Sequence, residues 1–163
     1  MTMINLHNGR LTADFLTTGD LYELSADSIM INQLNGNPLD GSLNQIWLRL
    51  YTTDGIKSTP LIGSNSASYL TVTDNALLWD GSFQQVNYQV RFVLGKENCW
   101  FWQVFLQGNG ETADLICGQD LGNAAKGAVQ SNEAYVSQYI DHKVVDTAQG
   151  PLLVSRQNQP QDG

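Results

Sequence analysis

The sequence predicts an all-β fold, an antiparallel β-sandwich, and three observations carry that expectation. Asn-Gly or Asp-Gly recurs at Asn8-Gly9, Asn35-Gly36, Asp40-Gly41, Asp54-Gly55, Asp80-Gly81 and Asn109-Gly110. These dipeptides tolerate positive φ at both central positions and favour tight hairpin turns. Between them the apolar residues alternate with polar ones. No segment holds a helical period over more than two turns. With 163 residues the chain can bury a substantial core, and a single sandwich domain over residues 1–163 is expected.

Taken in order, IWLRLY (Ile46 to Tyr51) and SYLTVT (Ser68 to Thr73) alternate as strands with one face inward. In VNYQVRFVL, Val86, Tyr88, Val90, Phe92 and Leu94 share one face, with Asn87, Gln89 and Arg91 opposite. The connector GKEN then reads as a hairpin loop. In CWFWQVFLQ, Trp100, Trp102, Val104 and Leu106 take one face, and Phe101, Gln103 and Phe105 the other. A strand apolar on both faces must be covered on both sides. It either lies centrally between two layers or meets another domain. Trp47 and Trp79 lie near Asp-Gly turns; a core role is the first expectation for each, a sugar-stacking platform the second. A last strand runs from Leu152 to Arg156.

Composition narrows the function. Hydrophobic residues make up 42% and charged ones 15%, and Asn, Gln, Ser and Thr fill the difference. Such side chains suit sugar hydroxyls or a large packed interface. The net charge of −8 argues against nucleic acid, which needs a basic patch, and against anionic membranes. No apolar run reaches the roughly 20 residues that span a bilayer. The N-terminal MTMINLHNGRL lacks a basic region followed by an apolar core, so no signal peptide is expected. Cys99 and Cys117 stand alone, without metal-ligand or redox spacing. No metal and no cofactor are expected, and the cytoplasm is the expected compartment.

The stretch NEAYVSQYIDHKVV, Asn132 to Val145, concentrates the polar chemistry. Read as one strand, it turns Val136, Gln138, Ile140, His142 and Val144 inward, making His142 a core histidine held by hydrogen bonds. Tyr135, Ser137, Tyr139, Asp141 and Lys143 take the other face. That face fits a domain interface, a sugar contact or plain solvent exposure, in that order. Glycoside hydrolysis needs two carboxylates about 5 to 10 Å apart. Glu133 and Asp141 would lie roughly 26 Å apart on one strand at about 3.3 Å per residue. No catalytic residue is therefore assigned. Arg156, Gln157 and Asn158 end the last strand, either as exposed polar residues or as ligand contacts.

QDLGNAAKGAVQSNEAYVSQYIDHKVV followed by LLVSRQNQ resembles the N-terminal β-domain of the cellobiose-phosphorylase family, glycoside hydrolase family 94. The likeness is to the branch acting on β-1,2-linked oligoglucans and the related cyclic glucan synthases. MINQLNGNPLDGSLNQIWLRLY, Met30 to Tyr51, is similar to the same branch. The resemblance implies a galactose-mutarotase-like super-β-sandwich, whole or partial, joined by helices to an (α/α)-barrel. On that barrel an aspartate acts as general acid, and inorganic phosphate, the co-substrate, attacks the anomeric carbon with inversion. The chain thus reads as an N-terminal fragment, or a stand-alone relative, without the catalytic aspartate.

The implied partners are the helical-barrel catalytic domain of the same parent chain, a β-linked glucooligosaccharide and a second copy in a homodimer. The candidate carbohydrate or interface residues are Asn132, Glu133, Tyr135, Gln138, Tyr139, Asp141, His142, Arg156, Gln157 and Asn158. Two functions are weighed: a non-catalytic pocket and assembly element of a β-glucan phosphorylase, and an autonomous carbohydrate-binding module.

Overall fold

The computed structural model describes residues 2–158. Its elements in chain order are β1 (Met3–Asn8), β2 (Leu11–Leu16), β3 (Leu21–Ala26), β4 (Ile29–Met30), β5 (Gln45–Thr52), β6 (Gly55–Pro60), β7 (Tyr69–Val72) and β8 (Ala76–Phe83). There follow β9 (Val86–Leu94), β10 (Trp100–Gln107), β11 (Thr112–Gly118), β12 (Ala124–Ala125), α1 (Lys126–Ser131), α2 (Glu133–Ser137), β13 (Ile140–Thr147) and β14 (Gly150–Gln157). Strand accounts for 58% and helix for 6%, so the all-β antiparallel expectation holds.

Three sheets enclose one core. They run β1-β2-β3-β4-β12, β10-β9-β8-β7 and β11-β5-β6, while β13 and β14 pair only with each other. The inward rows come from the alternation: Leu11, Ala13 and Phe15 on β2; Ile46, Leu48 and Leu50 on β5; Val86, Tyr88, Val90 and Phe92 on β9. Phe15, Trp79, Phe92 and Trp102 form an aromatic cluster at its centre, with Phe15 and Phe92 edge to face at 5.0 Å. Trp79 fulfils its core expectation. Trp47 does not; it stands on the outer face of β5, more than a third exposed.

The turn dipeptides sort into three kinds. Asn8-Gly9 and Asp54-Gly55 close the β1/β2 and β5/β6 hairpins, as expected. Asn35-Gly36, Asp40-Gly41 and Asn109-Gly110 sit in longer connections. Asp80-Gly81 is no turn but lies inside β8, and the hairpin closes three residues later at Gln84-Gln85. The reason is packing. A Cβ on Gly81 would stand 2.4 Å from the Tyr88 hydroxyl, so glycine makes room for that ring on the neighbouring strand. Gly63 is required differently, by a φ of +77° and by the buried Asp20 carboxylate 2.1 Å from where its Cβ would be. Asp20 Oδ2 accepts from Thr18 Oγ1 and the Ser64 amide, joining the β2–β3 turn to the loop after β6.

The GKEN loop joins β9 to β10 as expected, with Glu97 and Asn98 at positive φ. Strand β10 lies at the edge of its sheet rather than between layers. Its Trp100, Trp102 and Val104 pack on the core, while Phe101 and Phe105 face outward and are exposed.

Candidate functional site

The stretch from Asn132 to Val145 is not one strand. It is a helix, a turn and the first half of a hairpin, and the residues show why. Val129 on α1 and Val136 on α2 both bury against Met30 and Ala124 in a second small core, so each short helix has one apolar anchor. Asn132 separates α1 from α2 with φ −159° and ψ 76°, and its Oδ1 accepts from the Tyr135 amide as an N-cap. The pair Lys126 and Glu23, at 2.8 Å with the Glu23 side chain buried, fixes the start of α1 to the five-stranded sheet. Glu133 opens α2; the expectation for its side chain lies outside the described residues.

Helical spacing brings the tyrosines together. Tyr135 and Tyr139 meet edge to face at 4.9 Å, and the Tyr139 hydroxyl donates to the Tyr135 hydroxyl at 3.0 Å. That bond holds the Tyr139 phenol above its ordinary pKa. Gln138 caps the end of α2 through its backbone amide. The roughly 26 Å separation expected for Glu133 and Asp141 does not apply, because α2 and a turn stand between them.

His142 is exposed, which overturns its expected place in the core. It stands on β13 opposite Ser155, whose hydroxyl lies 2.9 Å from Nδ1. Asp141 pairs across the ladder with Arg156 and accepts a hydrogen bond from the Asn158 side chain. Gln157 turns back instead: its Nε2 donates to the carbonyls of Gly122 (2.9 Å) and Val136 (3.1 Å). Of the ten candidates, Asn132, Gln138 and Gln157 are thus backbone caps and ties. Tyr135, Tyr139, Asp141, His142, Arg156 and Asn158 line the exposed surface beside the hairpin root.

Beyond that root the hairpin is apolar on both faces. Val144 and Leu153 form a cross-strand pair on one side, 64% and 62% exposed; Val145, Leu152 and Val154 stand on the other. A two-stranded hairpin is marginal in water without a layer to cover it, and an apolar patch of this kind marks a contact surface.

Arg49 and Asp114 form a cross-strand ion pair, apart from these residues, that sequence reading missed. They lie opposite each other on β5 and β11, joined by two hydrogen bonds of 2.8 and 2.6 Å, and the Tyr51 hydroxyl adds a third to the carboxylate. Arg49 and Tyr51 together hold the Asp114 carboxyl below its ordinary pKa. Only alternation on β5 pointed outward at these positions; nothing local names the partner 65 residues away.

An antiparallel β-sandwich carrying a helix-capped, uncovered apolar hairpin is the class of protein that fold and site define. The family model described as the SOGP N-terminal domain matches residues 14–163, and the chain belongs to that family. It is 37% identical over 163 residues to a 1,2-beta-oligoglucan phosphorylase of Listeria innocua, a match covering 99% of this chain. The chain spans 15% of the length of that relative. The resemblance to the branch acting on β-1,2-linked oligoglucans is borne out. Among the described residues no helix is long and apolar enough to cross a membrane.

Proposed function

We propose that this chain is a non-catalytic N-terminal domain of a 1,2-β-oligoglucan-type phosphorylase, acting through domain packing, the substrate pocket and subunit assembly. The observation that carries the reading is the β13–β14 hairpin, with Val144/Leu153 on one face and Leu152/Val154 on the other uncovered. Burial of such residues stabilises by about 25 cal/mol per Å² of apolar surface, and a helical-barrel domain of the parent chain is the cover that the family membership supports. Phosphate serves there as co-substrate, and no cofactor is invoked. The exposed, unpaired thiols of Cys99 and Cys117 support a reducing compartment, the cytoplasm.

The test is twofold. The purified 163-residue chain, given β-1,2-linked glucooligosaccharide and phosphate, is expected to release no glucose 1-phosphate. In the parent protein, Val144→Asp with Leu153→Asp is expected to lower phosphorolysis together with thermal stability. Phosphate-dependent turnover by the chain alone, or a parent enzyme indifferent to both charges, defeats the reading.

A further inference from the structure

The outer face of the four-stranded sheet is separate from the hairpin and differently built. Four residues form a row across it, one per strand: Tyr69 on β7, Asp80 on β8, Gln89 on β9 and Phe105 on β10. Register places them side by side, and strand alternation turns all four away from the core, since Trp79, Tyr88 and Val90 between them point inward. The row spans three inter-strand gaps, about 14 Å at roughly 4.8 Å each. Aromatic rings stand at both ends, Tyr69 75% exposed and Phe105 57% exposed. The floor between them is polar.

That floor is organised. Gln89 Nε2 donates to Asp80 Oδ1 at 2.7 Å, which fixes the amide with its carbonyl available as an acceptor. Asn87 and Gln107 extend the row of amides on the neighbouring register, and Arg91 Nη1 reaches Gln103 Oε1 at 3.4 Å on the other side. A cavity of about 250 Å³ opens over Asp80, Asn87, Gln89 and Gln107, with Phe105, Leu106 and Tyr88 completing its lining.

We infer that this trough binds a β-linked glucooligosaccharide, with Phe105 and Tyr69 stacking on pyranose faces and Asp80, Gln89 and Asn87 taking the ring hydroxyls. The chemistry selects that occupant over others. An apolar protein surface laid here would bury the Asp80 carboxylate with the Gln89 amide as its one side-chain donor and strip water from the amides of Asn87 and Gln107, at a desolvation cost for each unmet group. An anionic ligand would meet the Asp80 carboxylate in a chain of net charge −8. A neutral polyol supplies a hydroxyl to each polar group and C–H faces to both rings. The hairpin surface offers the opposite balance, aliphatic side chains with few polar groups between them, and suits a protein layer. The choice of a β-linked glucan among neutral saccharides rests on the function proposed above.

Titration calorimetry of the 163-residue chain with β-1,2-, β-1,3- and β-1,4-linked glucooligosaccharides tests the inference. A dissociation constant on the order of 1 mM is expected, weakened about tenfold by Phe105→Ala and by Tyr69→Ala. Both side chains are exposed, so near-ultraviolet circular dichroism of the core tryptophans should stay unchanged. Leu153→Asp on the hairpin should leave the titration unaltered. No heat from any glucan up to about 10 mM, or affinity indifferent to both aromatic substitutions, overturns the inference and leaves the phosphorylase reading intact. A sedimentation shift toward monomer in Phe105→Ala with sugar binding unchanged also overturns it, making the face a protein contact. Binding of β-1,3 or β-1,4 glucan with none of the β-1,2 series upholds the trough while removing the link to 1,2-β-oligoglucan.

Discussion

The Tyr139 hydroxyl donates to the Tyr135 hydroxyl at 3.0 Å, so the two phenols are coupled one helical turn apart. The bond needs the Tyr139 proton, which is why the Tyr139 pKa lies above its ordinary value near 10. A raised folded-state pKa contributes stability that is fully present below the unfolded value and lost as pH rises through the folded one. Tyr135→Phe removes the acceptor. Ultraviolet difference titration should then show Tyr139 ionising at lower pH, and the variant's stability deficit should disappear in strong alkali. An unchanged Tyr139 titration would contradict the coupling.

The Arg49–Asp114 pair has the reverse sign. Arg49 and Tyr51 lower the Asp114 pKa from 3.8, so the stabilisation exists above the unfolded value and fades as pH falls through the folded one. Asp114→Asn should lower the urea midpoint at neutral pH, with the gap to the parent closing below about pH 4. A gap that persists in acid would assign the loss to packing instead.

Val136 is buried in the small core with Met30, Ala124 and Val129. Val136→Ala should cost about 2 kcal/mol in denaturant unfolding. Ala134→Ser, on the exposed side of the same helix, serves as control and should fall within about 0.5 kcal/mol of the parent.

Gly81 and Tyr88 share one space across β8 and β9. Gly81→Ala should destabilise by about 1–3 kcal/mol. Tyr88→Phe, which removes the 2.8 Å hydroxyl contact with Ser68, should cost about 1 kcal/mol. Because Tyr88→Phe removes the atom that the new Cβ would strike, the sum of the single losses should exceed the double variant's loss, and strict additivity would contradict the shared space.

Much of this fold was legible because alternation is a local signal. Strands β5 and β9 present Ile46, Leu48, Leu50 and Val86, Tyr88, Val90, Phe92 inward as their patterns require. The apolar outer residues of β10 suggested a strand covered on both faces, whereas β10 lies at an edge with Phe101 and Phe105 exposed. The stretch from Asn132 to Tyr139 was misread for a physical reason. A five-residue helix is too short to establish a period of its own, and the two tyrosines at spacing four were compatible with either structure. What decides is the Asn132 cap and the burial of Val129 beside Val136, the second of which depends on Met30, about a hundred residues earlier. The same applies to Asp80-Gly81, whose place in a strand is set by Tyr88 on the next one.

Gln157 gives the hairpin a mechanical character. By gripping the carbonyls of Gly122 and Val136 with one amide, it pins the root of β14 to the approach to β12 and to the end of α2. The hairpin is therefore a lever with its fulcrum at Gln157, its long arm reaching out to the Asp146–Pro151 end and its short arm bearing on the tyrosine pair. Whatever covers Val144 and Leu153 is tied through this one amide to the α2 carbonyl of Val136, the residue next to Tyr135.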